Sequence, residues 1–118
     1  MKVTILNTAP GKETYFNLKA KAESEGKQFI DVRLSMCDVD DFDTLFIGLS
    51  KQLPKWVYKA NSHPTVFVFD EYNCTLLAVK KIVDTLLDTN TLGEGDGKFT
   101  DVFNDNVEVF VLSNETPA

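Results

Sequence analysis

Two periods of apolar residues alternate along the chain and divide it into strands and helices. Short apolar runs at 2–7, 27–36, 65–73 and 107–115 are rich in β-branched and aromatic residues, which is typical of strands. In several of the segments between them the apolar residues recur every three or four positions, which is typical of helices. The pattern therefore predicts strands that alternate with helices.

Three segments predict helices with recognisable ends. The apolar face of 13–25 has helical spacing, and Gly26 predicts where that helix ends. A short helix is predicted over 53–60, with Pro54 in its first turn. The apolar stripe of 76–88 predicts a longer helix.

The stretch 37–50 predicts one more short helix. Its aspartates suit a helix N-terminus, where negative charge is favourable. Val39, Phe42, Leu45 and Phe46 would form its buried face.

This element order predicts an α/β fold with three layers, in which a mostly parallel sheet is flanked by helices. The apolar run of the third strand lacks polar positions, so we expect this strand to be buried on both faces. A chain of 118 residues suffices for one core, and we expect 1–118 to form a single domain. Ligands of such sheets bind beyond the carboxyl ends of the strands, where polar residues collect in this chain.

The charge is negative and unevenly distributed. The net charge is −6, and residues 82–118 contain eight acidic residues against the single base Lys98. This part of the chain should repel nucleic-acid phosphates, so we expect no nucleic-acid binding. An acidic surface could meet a basic protein or could simply be solvated.

The sequence gives only weak indications of localisation and of metal binding. The first apolar run is too short for a signal peptide and no run reaches membrane-spanning length, so a cytoplasmic protein without membrane contact is expected. Cys37 and Cys74 lie far apart and are expected to be thiols, while the single histidine is His63. They form no Cys/His cluster, so we expect none of the three to bind a metal.

The carboxyl ends of two strands carry candidate chemistry. Asp70 and Glu71 directly follow the buried third strand, and Asn114 lies at the end of the last strand. Phosphoryl hydrolysis uses one carboxylate for the Mg²⁺ shell and a second group that orients water. An amide at the Asn114 position could hold the attacking water. Acidic residues also begin many ordinary loops, so the adjacent carboxylates alone are a moderate signal.

Four segments stand in the order that they have in one family of nucleotide hydrolases: FIDVRLSMCDVDDF, LPKWVYKA, VFVFDEYNCTLLAVKKIVDTLLDTNTLGEG and VEVFVLSNETP. Together they resemble the core of an AAA+ ATPase, closest to the MoxR branch, and the third contains the Walker B position. The resemblance implies a minimal P-loop NTPase-like core with the strand order 1-4-3-2, lacking the fifth strand of such cores. It implies that Asp70 would hold the Mg²⁺ shell, Glu71 would activate water and Asn114 would be sensor 1.

The Walker A loop of that family, GxPGxGK[ST], is degenerate here. With the register fixed by the segments downstream, the Pro10-Gly11 pair survives. Glycines wrap the phosphates, the Lys neutralises their charge and the Ser/Thr ligates Mg²⁺, so each loss weakens the site. The losses are Thr8 for the first Gly, Glu13 for the last Gly, Thr14 for the Lys and Tyr15 for the Ser/Thr.

Two further points bear on nucleotide hydrolysis. A two-residue deletion would let Lys12 act as the loop lysine, but it would shorten the phosphate cradle. The single arginine, Arg33, lies in the second strand, the wrong place for an arginine finger or for sensor 2. We therefore interpret Pro10, Gly11, Lys12 and Thr14 as a vestigial nucleotide site.

Three hypotheses on function follow. The first is a pseudo-ATPase that acts by protein–protein contact and needs no cofactor. It would be an inhibitor, adaptor or decoy of an AAA+ partner, or a component of a larger assembly, including a viral one in the host cytoplasm. The alternative is a weak or atypical Mg-ATP-binding ATPase that uses Asp70, Glu71 and Asn114, with Mg²⁺ on Asp70. The third is an acidic decoy that mimics nucleic acid and binds a basic protein.

Overall fold

Strands and helices alternate along the chain. The computed structural model describes residues 1–8, 13–42, 45–47, 50–93, 95 and 98–114. Three short 3₁₀ turns cover Leu34–Met36, Val39–Phe42 and Tyr72–Cys74. The strands and helices are β1 (Lys2–Thr8), α1 (Glu13–Ser24), β2 (Gln28–Arg33), β3 (Leu45–Ile47), β4 (Ser50–Gln52), α2 (Lys55–Asn61), β5 (Thr65–Asp70), α3 (Leu77–Thr89) and β6 (Val107–Asn114).

The main sheet has four strands in the order β1-β6-β5-β2, and every neighbouring pair is parallel. With the four predicted strands numbered along the chain, this is the predicted order 1-4-3-2. Parallel neighbours need crossovers, which the segment containing α2 supplies between β2 and β5 and α3 supplies between β5 and β6. α1 connects β1 to β2, the two edge strands of the sheet. The α/β prediction is confirmed.

The central strand β5 determines the layers. All six of its residues are buried. Its side chains alternate between the two faces, so Val66 and Val68 pack with α1, while Phe67 and Phe69 pack on the opposite face. Apolar side chains on both faces need a cover on both faces, which gives the three layers.

The larger core lies on the face covered by α2 and α3. α3 buries Val79, Val83 and Leu86, which follow the helical spacing. The indole of Trp56 in α2 donates a hydrogen bond to the carbonyl of Asp41 at 2.9 Å. Its ring also contacts four phenylalanine rings, those of Phe42, Phe67, Phe69 and Phe103.

The predicted helix over 37–50 is wrong. Its first part forms the 3₁₀ turn Val39–Phe42, in which the Asp41 carboxylate accepts the Asp38 backbone N–H at 2.8 Å. The chain then forms an antiparallel hairpin of β3 and β4. Two of the three residues of Leu45–Ile47 are aromatic or β-branched and Gly48 follows them, so continuing the helix is unfavourable.

Two helices end at residues in the left-handed conformation. Gly26 has φ +67° just after α1, which confirms the predicted end. Asn90 ends α3 with φ 55°, and its side chain both donates to the carbonyl and accepts from the N–H of Phe103 at 2.9 Å. Asn90 therefore ties the end of α3 to the segment that leads into β6.

No helix in the described ranges has the length and apolar character needed to cross a bilayer.

We expect Asn90→Gly to lower the free energy of unfolding by about 1–3 kcal/mol, because it removes both side-chain bonds to Phe103. Asn90→Ala should cost about 1 kcal/mol more, because alanine disfavours the left-handed conformation. Urea unfolding of both variants measures this. Equal stability of the two variants would contradict the role of the backbone conformation.

Candidate functional site at the carboxyl ends of β2 and β5

Polar side chains gather where β2 and β5 end. The two strands are in register, with Arg33 opposite Asp70. Alternation along β5 places Asp70 on the same face as Val66 and Val68, the face that α1 covers. We use the name strand-end cluster for Tyr15, Asp31, Arg33, Ser35, Asp70 and Glu71.

Asp70 is a buried carboxylate, with only 5% of its surface exposed. Burying a carboxylate is unfavourable unless it finds hydrogen-bond partners. Its Oδ1 accepts the backbone N–H of Glu71 at 2.8 Å. The end of β5 is therefore closed by a bond between neighbouring residues.

Glu71 turns the chain sharply after β5. Its backbone has φ 59° and ψ 39°, a left-handed conformation that non-glycine residues seldom adopt. Its carbonyl accepts hydrogen bonds from the Cys74 N–H at 3.0 Å and from the Thr75 hydroxyl at 3.1 Å. These bonds hold the turn in place.

The carboxylate of Glu71 points to the residues that follow β2. It accepts a short hydrogen bond from the hydroxyl of Ser35. It also lies 3.5 Å from Nε of Arg33, the only arginine of the chain. Glu71 therefore connects the ends of β2 and β5 through its own side chain.

Tyr15 completes the cluster from the first turn of α1. Its ring packs edge-on against Phe29 with centroids 5.5 Å apart. The pKa of its phenol is raised by burial, then by the charge of Asp31 and a hydrogen bond with it, and then by the charge of Asp70. A neutral phenol thus stands near both carboxylates, at the position where the resemblance expects a Ser/Thr ligand of Mg²⁺.

The structure brings together only some of the predicted site residues. Asp70 and Glu71 lie side by side, and Thr14 lies half-buried in the first turn of α1. Asn114 ends β6 opposite Thr8 in the ladder, and its side chain lies outside the described part. The loop residues Pro10, Gly11 and Lys12 also lie outside the described residues.

Sequence reasoning missed Ser35, Asp31 and the contact of Arg33. One signal was available in the strand spacing. Asp31 and Arg33 lie two and four residues after Phe29 in β2, so their side chains lie on the same face of the sheet as the Phe29 ring. Ser35 gave no signal, since its contact depends on how the chain leaves β2.

The described part of the cluster does not fit Mg-ATP. The Asp70 carboxylate is bonded to its own chain, and Glu71 is held by Ser35 and Arg33. A neutral phenol is a poor Mg²⁺ ligand, since Mg²⁺ prefers carboxylates, phosphates and water. No group of three or more His, Cys, Asp or Glu residues in the described ranges is arranged to hold a metal ion.

The two cysteines are free thiols. Cys37 is partly buried and Cys74 is exposed. Burial, followed by the charge of Asp41, raises the pKa of the Cys37 thiol, which favours its neutral form.

Comparison with known proteins gives no family. No protein-family model matches the chain, and no curated protein matches its sequence. The resemblance to AAA+ ATPases therefore stays a prediction, and the function has to be argued from the geometry.

We expect alkaline pH to destabilise the fold through Tyr15. Its pKa in the folded chain is raised above the ordinary 10.0, so the folded state holds the proton more tightly than the unfolded state does. This stabilisation is present below pH 10.0 and is lost as the pH rises through the folded pKa. Tyr15→Phe should flatten the fall in unfolding free energy above about pH 10.

Denaturant unfolding over this pH range measures the effect. Tyr58→Phe is the matched control, because the Tyr58 hydroxyl bonds to Gln52 away from the cluster. Some slope should remain in Tyr15→Phe, because burial and then the hydrogen bond with Asp84 raise the pKa of Tyr72 to about 12. An unchanged slope in Tyr15→Phe would refute the assignment.

Proposed function

We propose that this chain is a non-catalytic protein that acts through contact with other proteins. The observation that carries the proposal is the engagement of the Glu71 carboxylate by Ser35 and Arg33. A carboxylate that activates water must face the water and the scissile phosphate. Glu71 instead faces two side chains of its own fold.

Releasing Glu71 for catalysis would be costly. Hydrogen bonds to charged groups contribute about 1.5–3 kcal/mol each, and partial exposure lowers that value here. Releasing it would also leave Arg33 without this carboxylate. The arrangement therefore favours a structural role for Glu71 over a catalytic one.

The charge of the strand-end cluster also disfavours a nucleotide. Asp31, Asp70 and Glu71 lie at this end of the sheet, and Glu13 is exposed in the first turn of α1. Arg33 is the single positive charge among these residues, compared with four carboxylates. A triphosphate would meet repulsion where a nucleotide site provides positive charge and backbone N–H groups.

Apolar side chains near the same end of the sheet support protein contact. Met36 follows β2, and Leu76 and Leu77 lie at the start of α3, and all three are exposed. Leu76 and Leu77 are adjacent in the chain, and exposed apolar residues that lie together are typical of protein-binding surfaces. The resemblance makes an AAA+ ATPase the first candidate partner, with a larger assembly as the second.

Calorimetric titration with Mg-ATP tests the proposal. We expect no saturable heat up to about 1 mM nucleotide, a limit that corresponds to a binding free energy weaker than about −4 kcal/mol. Asp70→Asn, which keeps the shape of the side chain, is the matched control and should give the same flat titration. Micromolar binding that Asp70→Asn abolishes, together with phosphate release, would establish the ATPase alternative instead.

A further inference from the structure

The two edges of the main sheet differ in their protection. Exposed edge strands usually carry charged side chains that block pairing with other chains. The edge strand β2 has exposed Asp31 and Arg33. The opposite edge strand, β1, has its single charged residue, Lys2, at its first position and none from Val3 to Thr8, and Ile5 is 67% exposed.

An apolar groove runs beside β1 on the side of α3. Its volume is about 310 Å³. The sheet contributes Val3, Ile5 and Val111 to its lining, and Leu87 of α3 and Tyr72 line it from the helix side. The unprotected edge therefore adjoins an apolar recess that can receive side chains.

The charged groups of this groove are acidic. Asp84 and Asp88 of α3 line it, and its lining in the described residues contains no Lys or Arg. Asp84 accepts a short hydrogen bond from the Tyr72 hydroxyl, while Lys80 lies over the Tyr72 ring at 4.8 Å. Asp88 has no partner among the described residues and can accept a bond from outside.

We infer that the β1 edge and this groove bind an extended segment of a partner protein, which adds a strand beside β1. The inference rests on the proposed function and names a second surface, which includes none of Met36, Leu76 and Leu77, together with the chemistry of its partner. The segment alternates apolar residues, which enter the groove, with residues that face away. It carries at least one Lys or Arg that reaches Asp84 or Asp88.

The backbone of β1 favours a strand over a helix as the occupant. In any strand the N–H and C=O groups of every second residue point to the same edge. Within the described part of the chain, β1 pairs with β6 on one side only. An added strand bonds the outward groups along the seven residues of β1, whereas a helix has used its own backbone groups internally.

The charge favours a basic partner over a second copy of this chain. Pairing two β1 strands about a two-fold axis would place both α3 helices on the same side of the joined sheet. Asp84 and Asp88 of each copy would then face those of the other, and each copy has a net charge of −6. A segment with Lys or Arg meets the same groove with attraction.

Selection from a random twelve-residue peptide display library on the immobilised chain tests the inference. We expect enriched peptides to alternate apolar residues and to contain Lys or Arg. Fluorescence anisotropy of the best synthetic peptide should show a loss of about tenfold or more in affinity for Ile5→Lys. Phe16→Lys in α1 is the matched control with a similar exposure of 59%, and it should bind normally.

Two further variants read out the mode of binding. Asp88→Lys should shift the selected peptides from basic to acidic residues. Two versions of the peptide would be N-methylated, one at its odd-numbered and one at its even-numbered amides. Only one of these versions should lose binding, because only one set of amides faces β1. Thermal melts check that Ile5→Lys and Asp88→Lys still fold, which their exposed positions favour.

Several outcomes would overturn the inference. The selection could enrich no peptides, or it could enrich peptides with helical apolar spacing. The best peptide could bind Ile5→Lys as tightly as the original chain. Light scattering could show a dimer of the original chain that Ile5→Lys dissociates. None of them bears on nucleotide binding. Failure here would leave the non-catalytic function standing, and binding of Mg-ATP would remove that function while leaving the peptide site.

Discussion

Burial of β5 on both faces is the constraint on which the rest of the structure depends. All six residues of the strand are shielded from water, so one helix layer has to cover each side of the sheet. The polar groups at its two ends then need partners. The Thr65 hydroxyl lies within 3.0 Å of the Ala60 carbonyl and 2.8 Å of the His63 carbonyl, and Asp70 accepts the Glu71 N–H.

The same constraint shapes the strand-end cluster. Asp70 is the last buried residue of β5, and the chain leaves it through a left-handed Glu71. That turn sends the Glu71 carboxylate to Ser35 and Arg33 at the end of β2, while Tyr15 lies near Asp31 and Asp70. From the sequence, the adjacent acidic residues Asp70 and Glu71 are candidates for hydrolysis. In the structure their carboxylates instead make contacts that close one end of the sheet. This use of the two carboxylates is the basis of our proposal that the chain acts through protein contact.

The fold was predictable from the sequence because its signals are local. The unbroken apolar run of β5 and the helical stripe of α3 each indicate their own burial, and the parallel orientation of the strands follows from the alternation of elements. The strand order was implied by the resemblance. The helix prediction for 37–50 was wrong because aspartates at the start of a segment are as compatible with a single 3₁₀ turn as with a longer helix. The residues after that turn decide the outcome through β propensity, a weaker and more context-dependent signal.

The candidate site was less predictable because it depends on distant contacts. Asp70 and Glu71 were found from the end of a strand, but the partner hydroxyl of Glu71 lies 36 residues away. No local pattern reports such a contact, which depends on the register of β2 against β5. The exposed Ile5 is a similar case, since its strand pattern does not reveal an edge strand and only the resemblance implied that the first strand lies at an edge.

The free energy of unfolding of Glu71→Gln tests the central claim most directly. The substitution keeps the size of the side chain and removes the charge that Ser35 and Arg33 contact. If Glu71 serves the fold, the variant should be less stable by about 1 kcal/mol, and a double-mutant cycle with Ser35→Ala should show coupling between the two positions. Residues kept for catalysis commonly reduce stability, so a Glu71→Gln chain as stable as the original or more stable would contradict the account.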